Sequence, residues 1–441
     1  MFRKMLTASL FLCMCMYFVQ AQNKLSVDNV YSTYLRNSGT IMENKQIKGY
    51  FFFYLSDKID KYTNEYTVQI LDENLNKVQD IKIQDSKKVN LLEAAYNGGS
   101  LSFLFQYEDE RRLTMKIYSL EGKMLYTYHS VYTRKTEQLM QTYMTLHTDE
   151  GTNKNVFDVG AKGYVSVMPV RDGKDYTYEV DFFGSEKKGF WRYTPSEDDG
   201  RFSMAEYLGN TDSLIILQVM KRKRLMSHKM TSHIVGINFV TRKKVFDLDG
   251  DEDEFRLLPS SIHMDKNSGN FIIAGTYFDK DANVGKDASK GMAFYVMNTQ
   301  GNVISKAYNS WEKDFSKYFH SNSKGKIDNV GYLFIHNMIQ DANGKLYVVG
   351  EGYKRQASAG GIALKVLSTA GGGSNNVGVT KIVVTDMVVM TFDDQFRVTD
   401  AKIYDKTNNT ATNNAVSDFN SQHLIAMYLK SIGAFDYDFT T

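Results

Sequence analysis

FRLLPSSIHMDKNSGNFIIAGTYFDKDANVGKDASKGMAFYVMNTQGNVISKAYNSW, residues Phe255–Trp311, decides how this chain folds. It holds four apolar runs: Leu257–Met264, Phe271–Tyr277, Met292–Met297 and Val303–Tyr308. The first two are joined by Asp265-Lys266-Asn267-Ser268-Gly269-Asn270 and the last two by Asn298-Thr299-Gln300-Gly301-Asn302. Asn and Gly tolerate the positive φ that tight hairpin turns require. The second and third runs are almost wholly apolar, the pattern of strands covered on both faces. A four-stranded meander whose inner strands are covered on both sides is what a blade of a β-propeller needs.

The same unit recurs along the chain. Inner strands are expected to begin near Tyr50, Leu101, Tyr164, Leu214, Phe271 and Leu346. Propeller blades repeat about every 40–50 residues, and the longer steps here coincide with insertions near 134–155 and 356–380. In the first of these, Leu139, Met140, Tyr143 and Met144 fall at helical spacing, although a leading strand fits nearly as well. The second contains Gly371-Gly372-Gly373-Ser374, a composition of flexible linkers. The expected fold is all-β: a single propeller over 22–441, with six full four-stranded blades and a partial seventh. Near the end, Leu424–Ser431 reads as a short helix or strand. Ile432–Phe439 reads as the leading strand of that seventh unit, or as a partner of Leu25–Leu35 that closes the ring. A pair of β-sandwiches is the alternative, but no break in composition divides the chain.

Composition sets the address. Arg3 and Lys4 precede the apolar segment Met5–Val19, and Val19-Gln20-Ala21 offers a peptidase site, so residues 1–21 read as a signal peptide. The segment is short for a membrane span, which takes roughly 20 apolar residues, and no later stretch reaches that length. Both cysteines, Cys13 and Cys15, lie inside the signal, which leaves a mature chain without disulfides or a thiol nucleophile. The expected location is the periplasm or the cell exterior. Net charge is only +2 and no sustained basic face is visible, which argues against nucleic acid as a partner.

Chemistry-bearing clusters are few. Asp247, Asp249, Asp251 and Asp253 alternate around Gly250; oxygen-rich spacing of this kind suits Ca²⁺, the one cofactor the sequence suggests. The competing reading is a solvated loop. Asp279-Lys280-Asp281-Ala282-Asn283-Val284-Gly285 begins like a calcium loop but places Val284 at the glycine position and Lys290 at the glutamate position; a mobile hairpin loop fits better. Lys221, Arg222, Lys223 and Arg224 form a basic run that could meet an anionic polymer. His263 and His336 hold comparable places in the leading strands of units five and six, where they could face a central channel. Trp191 and Trp311 suit packing between blades better than exposed sugar platforms. There is no HExxH, no Gly-x-Ser-x-Gly elbow and no phosphate-binding loop.

The pieces Arg36-Asn37-Ser38-Gly39-Thr40-Ile41-Met42-Glu43, Gly360-Gly361-Ile362-Ala363 and Gly433-Ala434-Phe435-Asp436-Tyr437 resemble those of uncharacterised exported β-propeller-like proteins of the Bacteroidota. The resemblance implies an exported protein and carries no catalytic residue. The function expected is a non-catalytic binding or scaffold propeller of the cell envelope, with a protein or glycan partner. Its alternatives are a glycoside hydrolase or lyase acting on polysaccharide, which needs two placed carboxylates, and a calcium-stabilised adhesion module.

Overall fold

Strands that are apolar on both faces need a sheet on either side, and the chain supplies one by repetition. The computed structural model describes residues 32–43, 46–138, 155–196, 202–222, 230–249, 254–265, 268–284, 287–341, 344–357, 380–411, 422–431 and 433–437. They form six four-stranded antiparallel sheets, each built from consecutive strands. The first contains β1 (Ser32–Glu43), β2 (Gln46–Lys58), β3 (Thr63–Asp72) and β4 (Lys77–Ser86); the second β5 (Val89–Tyr96), β6 (Ser100–Tyr107), β7 (Arg112–Ser119) and β8 (Met124–Val131). The third contains β9 (Val156–Asp158), β10 (Gly163–Asp172), β11 (Asp175–Gly184) and β12 (Phe190–Tyr193). The fourth has β13 (Ser203–Asn210), β14 (Leu214–Arg222), β15 (Met230–Asn238) and β16 (Lys244–Asp249). The stretch that opened the sequence analysis is the fifth: β17 (Phe255–Met264), β18 (Phe271–Asp279), β19 (Gly291–Met297) and β20 (Val303–Ser310). The sixth has β21 (Tyr332–Gln340), β22 (Leu346–Ala357), β23 (Thr380–Phe392) and β24 (Val398–Tyr404), with the short β25 (Asn409–Ala411) paired to β23. One helix follows, α1 (Gln422–Ser431). The molecule is a β-propeller, and the sequence-derived inner strands fall on β2, β6, β10, β14, β18 and β22.

Period-two alternation explains how the blades stack. In β18, Phe271 and Ile273 belong to the core shared with the fourth sheet, while Ile272 and Ala274 belong to the core shared with the sixth. In β19, Ala293 and Tyr295 face one way, Met292 and Phe294 the other. Equivalent cores join the first sheet to the second around Phe53 and Phe103, the second to the third around Met115 and Tyr164, and the third to the fourth around Val180 and Leu217. Trp191 stacks on Phe182 between the third and fourth blades, and Trp311 is buried between the fifth and sixth, so both tryptophans are packing residues. Fully burying one such side chain contributes roughly 1.5–3 kcal/mol.

The turns follow the expected chemistry. Gly269 and Gly301 take φ of +69° and +88°. Proline also sits where a missing N–H does no harm. Pro259 lies on the leading strand β17, beside a bulge, and Pro169 lies on β10 beyond the three residues that pair with β9.

The two chain ends depart from expectation. Among the described residues, 433–437 forms no strand; it packs with α1 on the sixth sheet. Ile425, Ala426, Leu429, Ala434 and Phe435 cover Tyr353, Ile382 and Val384. Where it is described, the strand expected over 432–439 is instead a turn and an extended cap, while the helix lies over Leu424–Ser431, where the sequence allowed one. Of Leu25–Leu35, the proposed partner of the C-terminal segment, residues 25–31 lie outside the described residues and the rest belongs to β1, which pairs with β2. Leu139, Met140, Tyr143, Met144 and the glycine-rich insertion lie outside the described residues.

Candidate functional site: the axial cavities

Each blade places its leading strand innermost, and five of the six leading strands are bulged. Register shifts fall between Thr33/Ser38, Leu91/Glu93, Tyr207/Gly209, Pro259/Ser261 and Ile335/Asn337. A bulge adds one unpaired residue, sharpens the twist and re-aims side chains. In the third sheet the leading strand is only three residues long. This irregular inner edge opens two cavities. The larger, about 780 Å³, lies among the leading strands of sheets one to four. The smaller, about 310 Å³, lies among those of sheets four to six and α1. Tyr207 lines both. Volumes of roughly 300–1,000 Å³ are those of small-molecule sites.

The carboxylates in these walls are mostly occupied. Glu93 is buried, and its two oxygens accept the main-chain N–H groups of Asn155 (2.7 Å) and Val156 (3.2 Å). It fixes the start of β9. Asp287 accepts the N–H of Asn283 at 2.7 Å. Glu206 pairs with Lys430 of α1 at 3.6 Å. Asp158 differs: it is exposed in the larger cavity and accepts no hydrogen bond from a described residue. Beside it Phe157 stacks on Tyr207, with ring centroids 4.2 Å apart and planes 17° from parallel. Burial pushes the Tyr207 phenol above its usual pKa, and its hydroxyl donates to Asn210 Oδ1.

His336 is the bulge residue of β21 and lines the smaller cavity, but its main contact points into the blade. Its Nε2 donates to Glu351 at 3.0 Å, and its ring stacks on Tyr437 at 4.8 Å. Glu351 is fully buried and also binds Lys406 (2.8 Å) and the main-chain N–H groups of Asp436 and Tyr437. Burial alone would raise the Glu351 pKa; hydrogen bonds from His336 and Lys406 outweigh it and hold the carboxyl below its ordinary value. The cluster fastens the C-terminal cap to the sixth blade. His263 contacts Gln340 of β21 at 3.2 Å and is absent from both cavity walls. The two histidines are not brought together.

The basic and acidic runs, read separately in the sequence, meet in the fourth blade. Asp247 lies in strand β16, not in a loop. Its carboxylate binds His233 Nδ1 (2.7 Å), Lys221 (2.9 Å) and Lys244 (3.1 Å). Burial would raise its pKa; the bonds from His233 and Lys221 prevail and hold it well below the carboxylate range. A cation at Asp247 would have to displace these partners. Arg222 contacts the sulfur of Met230 at 3.3 Å. Asp249 ends β16, paired in register with His233. Lys223, Arg224, Asp251 and Asp253 lie outside the described residues. Among the described residues no three His, Cys, Asp or Glu side chains converge as a metal site. In the other candidate loop, Asp279 pairs with Lys290 at 3.0 Å and Val284 is buried against Leu258 and Phe278, so a loop read as mobile is anchored by its own apolar residue.

Sequence reasoning missed Glu93, Asp158, Phe157 and Tyr207. The bulges beside Glu93 and Tyr207 have no residue signature, and Phe157 and Asp158 follow an insertion that hid the short leading strand β9.

Comparison with known proteins places the chain by family. A profile described as "Family of unknown function (DUF6770)" matches residues 1–441. The chain belongs to DUF6770. No curated protein matches this DUF6770 chain. Among solved structures it is similar to the β-propeller domain of the trilobed protease from Pyrococcus furiosus, at 10% identity, covering 83% of this chain and 92% of that one, with a TM-score of 0.34. It is also similar to a variant of the Synechocystis apocarotenoid oxygenase, at 6% identity and a TM-score of 0.31, over 59% of this chain. The match spans 58% of that oxygenase's length. No helix among the described residues is long and apolar enough to cross a membrane.

Proposed function

We propose that this DUF6770 chain is a non-catalytic binding propeller of the bacterial cell envelope, exported by residues 1–21, whose axial cavities receive part of a protein or glycan partner. The occupancy of the cavity carboxylates carries the reading. Glycoside cleavage needs two carboxyl groups free to work on opposite sides of one bond. Glu93 and Asp287 hold main-chain N–H groups and Glu206 holds Lys430, leaving Asp158 as the carboxylate open to a ligand. One carboxylate can orient a ligand but cannot supply an acid and a base. The resemblance to exported proteins of the Bacteroidota supports the address.

The test is turnover against binding. Purified protein is incubated with bacterial envelope polysaccharides, and new reducing ends and unsaturated sugars are measured beside a glycan array. Binding without product is expected. Product that disappears in Asp158→Asn would establish the hydrolase or lyase instead. For the address, N-terminal sequencing of protein recovered from an envelope fraction should begin at Gln22.

A further inference from the structure

The larger cavity has a one-sided chemistry. Among the described residues that line it, the charged side chains are Glu93 and Asp158; no Lys, Arg or His is present. Two of its three amide side chains, those of Asn97 and Asn210, have committed donors. Asn97 Nδ2 donates to the Gly160 carbonyl (3.1 Å) and to Ser185 Oγ (2.8 Å), and Asn210 Nδ2 donates to the Thr211 carbonyl (3.3 Å). Glu93, Asn97 Oδ1 and Asn210 Oδ1 already accept hydrogen bonds, but two other acceptors do not. Asn155 Oδ1 is buried without a hydrogen-bond partner among the described residues, and the Asp158 carboxylate accepts none from them. A buried acceptor left unpaired costs about 1–3 kcal/mol, which a donating ligand would recover. Against this wall stands the stacked pair Phe157 and Tyr207, and aromatic faces attract cations.

We propose that this cavity binds a primary alkylammonium group, carried either by a free diamine or by a lysine side chain of a partner protein. The proposal rests on the binding reading above and names its ligand chemistry. Asp158 supplies the opposite charge, Asn155 Oδ1 an unsatisfied acceptor in the same wall, and the aromatic pair an apolar flank for the methylene chain. The same lining disfavours anionic ligands such as uronates and phosphates, because placing a third negative charge beside Asp158 and Glu93 is unfavourable in a site of reduced dielectric. A neutral polyol would satisfy the acceptors but gain nothing from the charge.

The experiment is calorimetric titration of the full chain with three probes: 1,5-diaminopentane, 1,5-pentanediol, and Nα-acetyl-lysine methylamide. Saturable binding of at least one amine is expected, with no saturable binding of the diol. Diamine alone binding identifies a free-amine site; the lysine derivative binding as well identifies a peptide site. Asp158→Asn, an exposed and nearly isosteric change, should weaken the amine about tenfold or more while the melting temperature stays unchanged. Asn155→Leu should weaken it by a smaller factor. The proposal is overturned if no amine titrates, if the diol binds as well as the diamine, or if Asp158→Asn leaves amine affinity intact. These outcomes are separate from product formation, so loss of this proposal would leave the non-catalytic reading standing.

Discussion

Asp247 shows how a residue read as a ligand becomes a fastener. Lys221, Lys244 and His233 surround a half-buried carboxylate, so its replacement leaves the lysine charge uncompensated and the histidine without its acceptor. Asp247→Asn should lower stability by about 2 kcal/mol at neutral pH. The sign of the pH dependence follows from its depressed folded-state pKa. The stabilisation is complete above the unfolded value near ~3.9 and is lost as pH falls below it. Melting temperatures of wild type and Asp247→Asn should therefore converge in acid and separate as pH rises toward neutrality; a gap that stays constant with pH would refute this. Calcium coordination by the acidic run has a different signature: a rise in melting temperature with calcium chloride that the same variant abolishes.

At the scale of elements, the turns, the inner strands and the leading strands β5, β17 and β21 were legible, whereas the bulges within leading strands and the short β9 were not. Phe271–Tyr277 and Met292–Met297 announce themselves because both faces are apolar, and Asn and Gly mark the hairpins between strands. A leading strand borders an axial cavity, so its composition is mixed and a bulge breaks its alternation, as at Leu92, Leu208, Ser260 and His336. The site lies on those strands, which is why its residues escaped the sequence. Gly301 illustrates a turn that serves packing as well as backbone. Its φ is +88°, and a Cβ there would stand 2.4 Å from the ring of Phe246 in the neighbouring blade. Gly301→Ala should cost about 2 kcal/mol. Against a Phe246→Gly background, which lacks the Cβ and Cγ that stand 2.4 Å away, Gly301→Ala should cost less because the clash is gone while the backbone strain persists. Thermal unfolding of the single and double variants checks the partial rescue.

For the whole molecule, repetition was readable because each blade buries its core against the next, so the spacing of apolar runs reflects the ring. The C-terminal helix was ambiguous for the opposite reason. It is short, and its apolar residues answer to the sixth sheet alone rather than to a repeat. Among the described residues the apolar cores run in series from the first sheet to the sixth, and none joins the sixth back to the first. Among the described residues no sheet mixes strands from the two halves of the chain. Native-state hydrogen exchange should then show β1–β4 opening at lower free energy than β13–β20, which are flanked on both sides. Equal protection across all six sheets would count against this.

Because every sheet is drawn from one contiguous segment, a cut between neighbouring sheets would sever no ladder of backbone pairing. Rearranged genes that begin at a different blade should preserve the hydrogen-bonded content of each sheet, with only the covalent order of the wheel altered.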